Sequence, residues 1–365
     1  MEIKEEIGKW FEHFHANPEI SFKEYETTAK LAEILSDMGV DHKTFDDVTR
    51  VVAEIGKGDD IIAVRADIDA LWQEVGGVFQ ANHSCGHDAN IAMVLGALSY
   101  LKNEELDGRI RFIFQPAEEH GNGALSMIER GAVDGVSHLF GVHLRPQEEI
   151  PFGKITPAIH HGAVVFLEGK ITGVDAHGAR PHQGKNAIDP LLAISQFLKT
   201  IHFSPYEAYS VKLTKMQAGG DSPNIIPGTA TFSLDTRAQS NAVLDELIVH
   251  ISDGILAIGQ MHGVEIETEW IDYTPAAEVS EVAAEIAESG ILETVGKEGF
   301  APAVITSGSD DFHFYTIHRP ELKATMLGIG ADLGPGLHHP DMTFNREALD
   351  IGARVLAATL RKAFD

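Results

Sequence analysis

With 365 residues the chain is long for a single hydrophobic core, and two domains are expected. Its formal charge of −27 argues against nucleic acid and anionic membranes as partners, since a phosphate surface would repel it, although plain acidic solubility accounts for the charge equally well. The apolar fraction is ordinary, and no run approaches the roughly 18 apolar residues a membrane helix needs, so a soluble protein with no membrane partner is expected.

Met1 to Phe14 places Ile3, Ile7, Trp10, Phe11 and Phe14 at helical spacing, with several Glu where an export signal would carry basic residues. A second helix over Tyr25 to Met38 is stopped by Gly39, and β-like runs follow at Val51 to Ile55 and Ile61 to Ala66. Asp88 to Leu101 reads as helix, and Ile110 to Phe114 and His138 to Leu144 as strands, so a buried, mostly parallel sheet is the natural product. The single cysteine, Cys85, excludes an internal disulfide and suits a reducing, cytoplasmic compartment.

The middle of the chain follows another order: strand Ala163 to Thr172, helix Ala187 to Ile201, strands Tyr209 to Met216 and Thr229 to Leu234, helix Ala242 to Met261, strand Val264 to Trp270. A βαββαβ string of this kind can bury two helices on one sheet face and fold as its own small domain. Beyond it, Glu278 to Val295, Ala303 to Ile305, Met326 to Gly330 and Arg346 to Phe364 resume the first pattern. The division predicted is a discontinuous α/β domain, 1–162 with 276–365, carrying an inserted α+β, ferredoxin-like domain over 163–275.

The densest chemistry lies in His83-Ser84-Cys85-Gly86-His87-Asp88, ahead of a predicted helix. Cys85 and His87, separated by one Gly, can turn a thiolate and an imidazole toward one point, and both suit zinc or a neighbouring transition metal. Taken alone, the hexapeptide fits a buried thiol with incidental His equally well. Strand Ile110 to Phe114 runs out into Gln115-Pro116-Ala117-Glu118-Glu119, where one carboxylate could bind a metal and the other move a proton; a solvated acidic helix start is the alternative. Gly141-Val142-His143 and Gly336-Leu337-His338-His339-Pro340 follow two further strands, and open α/β sheets gather ligands at such ends.

These residues resemble the aminoacylase/carboxypeptidase-G-type metallopeptidases, in particular the amidohydrolase branch with N-acyl-amino acid, hippurate and auxin-conjugate hydrolases. The motifs that carry the likeness are Arg65-Ala66-Asp67-Ile68-Asp69-Ala70-Leu71, Cys85-Gly86-His87-Asp88, Gln115-Pro116-Ala117-Glu118-Glu119 and Gly141-Val142-His143, then Ala176-His177-Gly178-Ala179-Arg180-Pro181-His182, Asn224-Ile225-Ile226-Pro227, Gly308-Ser309-Asp310-Asp311-Phe312 and His338-His339-Pro340. The resemblance implies a zinc-exopeptidase-like mixed sheet with helices on both faces and an inserted lid domain. It further implies two divalent metals (zinc, manganese or cobalt) on Cys85, His87, Glu119, His143 and His338, with Cys85 between them. Glu118 would be the general base, and Asp67 would orient a ligand from behind, a helix-capping Asp being the other reading of that residue. From the inserted domain His177 would stabilise the oxyanion, while Asn224 and Arg237 would bind the substrate carboxylate. A surface ion pair with Asp235 is the competing reading of Arg237. In dimeric relatives the imidazole comes from the partner subunit, so a homodimer through the lid is among the arrangements implied.

The implied activity is metal-dependent hydrolysis of N-acyl amino acids or similar small amides. A dipeptidase or an N-acetyl-diaminopimelate deacetylase on the same scaffold shares every motif, and a non-catalytic metal-binding protein would be expected to lack the base or a ligand. Three places depart from the pattern. Trp72-Gln73-Glu74 replaces a Pro-containing stretch, Asn90 stands where a His is common, and His339 beside His338 leaves the ligand open by one residue.

Overall fold

The computed structural model describes residues 2–45, 47 and 49–365; Met1, part of the first expected helix, lies outside them. The chain divides into two compact units: residues 1–160, 278–305 and 310–365, and residues 161–277 with 306–309. Among the described residues no helix is long and apolar enough to cross a membrane.

The first unit is built on a seven-stranded sheet in the order Asp41–Thr44, Val51–Gly56, Arg109–Gln115, Ile61–Asp67, Val136–Pro146, Lys323–Leu333, Ile155–Thr156. The three central junctions are parallel and the three outer ones antiparallel, so the sheet is mixed, with only its middle as parallel as the apolar runs suggested. Period-two alternation explains why the central strands are apolar throughout. Ile62, Val64, Ala66, Ile110, Phe112, Phe114, Phe140, Val142 and Leu144 share one core with helices Ile3–Ala16, His87–Leu101 and Glu347–Lys362. The residues between them lie on the opposite side, buried except for the half-buried Arg111, where helix Gly123–Ile128 contacts Arg109–Gln115. A hairpin not anticipated from sequence, Leu71–Val75 with Val78–Asn82, turns at Gly76-Gly77, both with positive φ.

The second unit holds a four-stranded antiparallel sheet in the order Tyr209–Ala218, Thr229–Ala238, Ala163–Thr172, Glu265–Thr274. Taken in chain order as strands one to four, that is 2-3-1-4, the arrangement of a split βαβ sandwich. Ala230, Phe232, Leu234, Thr236 and Ala238 alternate inward, and Leu191, Ile194, Leu244, Leu247 and Ile251 from helices Ile188–Leu198 and Asn241–His262 complete the core. Ser240 Oγ caps the longer helix by accepting from Val243 N, and Gly263 ends it in left-handed backbone at φ 64°.

Candidate metal centre

Parallel pairing brings the carboxyl ends of Ile61–Asp67, Arg109–Gln115 and Val136–Pro146 to one edge of the sheet. The first delivers Asp67 and, two residues on, Asp69. The second runs into Pro116 to Glu119. His143 sits within the third strand, which extends to Pro146, two residues beyond the expected end at Leu144. His87 is the first residue of helix His87–Leu101, preceded by Gly86 at φ 87°, a backbone that only glycine adopts without strain. His338 lies past Lys323–Leu333 on a loop held from outside by the hairpin, where Gln73 Nε2 donates to His338 O at 3.0 Å and Asn82 Nδ2 to Pro340 O at 3.0 Å. Trp72, one of the departures from the family pattern, is 60% exposed on that hairpin.

Five three-residue donor groups result among the described residues, each with its ligand atoms within 4.8 Å of one another: Cys85/His87/His143 and Cys85/Glu119/His338, and beside them His87/Glu118/Glu119, Asp67/His143/Asp310 and Glu118/Asp310/Asp311. Cys85 belongs to the first two. Its Sγ stands 3.6 Å from His143 Nε2, and His338 Nε2 is 3.5 Å from Glu119 Oε1. His339, the other candidate for that place, is exposed and accepts from Asp341 N through Nδ1. Both buried imidazoles have their tautomer set from behind. His87 Nδ1 lies 3.0 Å from Asp69 O and His143 Nδ1 2.7 Å from Leu144 O, and since a carbonyl can only accept, each Nδ1 is the donor and each Nε2 turns its lone pair inward.

The donor set fits a cation. His87 Nε2 and Glu119 Oε1 are buried with no hydrogen-bond partner, an arrangement proteins avoid unless something fills it. Burial, reinforced by Glu119, holds the Cys85 thiol well above its ordinary range, and burial pushes Glu119 up to about 7. Burial, then Asp310 and Glu119, holds Glu118 well above the usual carboxylate range. Burial by itself would lower His87, but Asp67, Cys85 and Asp69 hold it well above an ordinary imidazole. His143 is pressed down to about 4 by burial, which outweighs the pull of Asp67, and stays a neutral ligand. Acids that keep their protons beside an imidazole that attracts one describe a place short of positive charge.

Glu118 Oε2 stands 3.7 Å from His87 Nε2. Its backbone, with that of Glu119, is fixed by Asp69, whose Oδ1 accepts from Glu118 N at 3.1 Å and Oδ2 from Glu119 N at 3.0 Å. Asp69 Oδ1 also lies 3.3 Å from His87 Nδ1, the side of the imidazole from which Asp67 was expected to orient it. Asp67 faces the inner side of His87 instead, 3.7 Å from Nε2, and neither caps a helix nor reaches Nδ1. It pairs with Arg65 Nη1 and accepts from Asn90 Nδ2 at 2.8 Å, which is what Asn90 does where a His is common. Arg65, fully buried, also spans Asp311 Oδ1 at 2.9 Å, Asp310 Oδ1 at 3.4 Å and Gln115 Oε1 at 2.9 Å. Arg65, Asp69, Asp310 and Asp311 stand inside the motifs, but sequence alone gives them no task; adjacency to Asp67 and to the other motif residues is their only signal.

In the second unit His177 pairs opposite Ile225 in a two-residue ladder, and Gly178 N donates to Asn224 O at 2.7 Å, so His177 and Asn224 share one corner and are both exposed. His177 Nδ1 accepts from Ala179 N at 3.0 Å, which leaves Nε2 as its outward nitrogen. Arg237 forms the ion pair that competed with its binding role: Nε donates to Asp235 Oδ1 at 2.9 Å and Nη2 to Oδ2 at 3.2 Å, with Nη1 on Ser307 O at 3.3 Å.

A thiol shared by two donor groups, beside a paired carboxylate able to move protons, makes a metal-competent hydrolytic centre. The sequence matches peptidase family M20/M25/M40 over residues 63–362, and the chain belongs to that family. Among its relatives, N-acetylcysteine deacetylase of Bacillus subtilis is 30% identical over 94% of this chain and 93% of that protein. IAA-amino acid hydrolase ILR1-like 4 of Arabidopsis thaliana is 31% identical over 94% and 82%. A dinuclear metal-binding peptidase of the M20 family from Bacillus subtilis superposes with a TM-score of 0.80 at 27% identity, covering 98% of this chain and 97% of that one.

Proposed function

We propose that the chain hydrolyses N-acyl amino acids, releasing the acyl group as a carboxylic acid and the amino acid free. The observation that carries this is the pair of donor groups sharing Cys85, with Glu118 3.7 Å from His87 Nε2 and outside both of them. Two divalent cations on Cys85, His87, Glu119, His143 and His338 would acidify water and polarise the scissile carbonyl. Glu118 takes the proton of the attacking water on its carboxylate and returns it to the departing nitrogen, so one residue performs both transfers. His177 offers an N–H from Nε2 to the developing oxyanion. Asn224 and Arg237 receive the carboxylate of the amino-acid part; Asp235 keeps the guanidinium extended while further N–H groups of its five remain for the ligand.

The names of the relatives support an N-acyl or indole-acyl amino acid as substrate. The thiolate favours zinc, with manganese and cobalt as the other metals of the reading. A homodimer through the second unit and a cytoplasmic setting, where the lone thiol Cys85 stays reduced, complete it. The test is release of free amino acid from N-acetyl, N-benzoyl and indole-acetyl amino acids, after chelation and again after zinc, manganese or cobalt is returned. Activity is expected to vanish with the chelator and to recover with at least one metal. Turnover that survives complete chelation would defeat the metal assignment, and faster cleavage of free dipeptides would make the enzyme a dipeptidase.

A further inference from the structure

Among the residues other than glycine that hold left-handed backbone in this unit are Phe22 at φ 60° and Ala117 at φ 53°. A residue with a Cβ keeps that conformation only where its surroundings impose it. Both donate their N–H to the same atom, Glu24 Oε1, at 2.9 Å each, and Glu24 Oε2 accepts the Thr49 hydroxyl. Glu24 is fully buried, and among the described residues the groups that act most on its carboxyl are the Thr49 hydroxyl, the Asp69 carboxylate and backbone N–H donors, with no cation. A buried carboxylate lacking a countercharge is costly unless its hydrogen bonds are made, and here they are.

Ala117 precedes Glu118 and Glu119, whose own N–H groups go to Asp69. Three successive N–H groups, 117 to 119, are therefore held by two buried carboxylates from distant stretches of chain. The two grips are themselves tied, since Ser21 Oγ donates to Asp69 Oδ2 at 2.6 Å one residue before Phe22. The grip at Glu24 lies ahead of the residues that match the family, which begin at 63.

We propose that Glu24 is a positioning residue of the catalytic loop: by holding Ala117 left-handed it sets where Glu118 and Glu119 point. The proposal rests on the reading of Glu118 as base and Glu119 as ligand. Glu24→Leu removes the acceptor at similar volume. Per folded molecule, kcat is expected to fall about a hundredfold with KM within about twofold, as for a misplaced reacting group. The Kd for manganese, measured by equilibrium dialysis without substrate, should rise about tenfold because Glu119 shares the loop. Glu24→Gln, whose amide oxygen can accept both N–H groups while its NH2 donates to Thr49, should restore both quantities to within about threefold of wild type. A loss of stability alone would lower the melting temperature and leave kcat per folded molecule unmoved. Wild-type kcat and Kd in folded Glu24→Leu would overturn the proposal, and so would a Glu24→Gln as impaired as Glu24→Leu. Should Glu24→Leu not fold, Thr49→Val takes its place; kcat down about fivefold at constant KM is expected, and unchanged kcat refutes the idea. Glu118→Gln assayed alongside separates the two levels: full activity there ends the reading of the loop, whereas an inactive Glu118→Gln beside a fully active Glu24→Leu ends only this proposal.

Discussion

Glu118→Gln is expected to lower kcat by about 10²–10⁴, the range over which a positioned proton carrier contributes, with KM and metal content close to wild type. The amide matches the carboxylate in size, and the backbone N–H of residue 118 keeps its bond to Asp69, so the loop should not move. Glu118 lies outside both groups that contain Cys85 but forms another with His87 and Glu119, so metal content is measured beside kcat to separate loss of the base from loss of metal. Stability should shift the other way. Burial, with Asp310 and Glu119 nearby, raises the proton affinity of Glu118 in the folded, metal-free chain. A carboxyl with a raised folded pKa keeps its proton where the unfolded chain has lost it, so its contribution to stability declines as pH rises above about 4.5, the unfolded value. Gln has no proton to lose. The chelated variant should therefore melt with wild type near pH 4 and above it at pH 8. A variant that kept its activity would remove Glu118 from the mechanism, and one that melted lower at pH 8 would contradict the charge argument.

The parts of this centre legible in the sequence were those decided by local chemistry. Cys85 and His87 could be read as candidates because a thiol and an imidazole one Gly apart can turn toward one point, though alone they fitted a buried thiol with incidental His equally well, and Glu118 and Glu119 because they follow an apolar run that reads as a buried strand. The second unit was legible for a similar reason: Ala230, Phe232 and Leu234 alternate, and the helices between the strands carry apolar stripes. What escaped was whatever depends on where the chain turns after a strand. Asp67 and Asp69 flank Ile68, and the strand ends at Asp67, so the alternation that fixes side-chain direction inside the sheet no longer applies at Asp69. Only the folded turn shows that Asp69 takes His87 and the carboxylate loop while Asp67 goes to Arg65. Glu24 and Ala117 are 93 residues apart, and nothing local to either announces the other. The antiparallel edges were missed because Asp41–Thr44 is polar and Ile155–Thr156 only two residues long. The Asp235–Arg237 pair, in contrast, follows from period two: residues i and i+2 of one strand share a face.

Asp69→Asn should be the most damaging single-atom exchange in the centre, and its comparison with Asp67→Asn separates the two aspartates. Asp69 is fully buried, and its two oxygens meet Glu118 N and His87 Nδ1 on one side and Glu119 N and Ser21 Oγ on the other. An amide keeps one oxygen. Turned one way, its NH2 confronts Glu119 N–H; turned the other, it confronts Glu118 N–H and His87 Nδ1–H, so at least one buried donor is orphaned, at about 1–3 kcal/mol. His87 Nδ1 keeps its bond to Asp69 O, but the exchange removes the charge beside the imidazole and disturbs the grip on the loop of Glu119, and metal affinity should drop about 10–100-fold, as for other lost supports of a ligand. Asp67→Asn disturbs a different neighbourhood, Arg65 and Asn90, and leaves the Nδ1 side of His87 intact. Its metal affinity should stay within about threefold of wild type, well short of the loss of a ligand's support, with its cost read in melting temperature as the Arg65 cluster loses a charge. Titrating each chelated variant with manganese decides the matter. The reverse order, with Asp67→Asn losing the metal and Asp69→Asn retaining it, would return the orienting role to Asp67 and make the contact between Asp69 and His87 incidental.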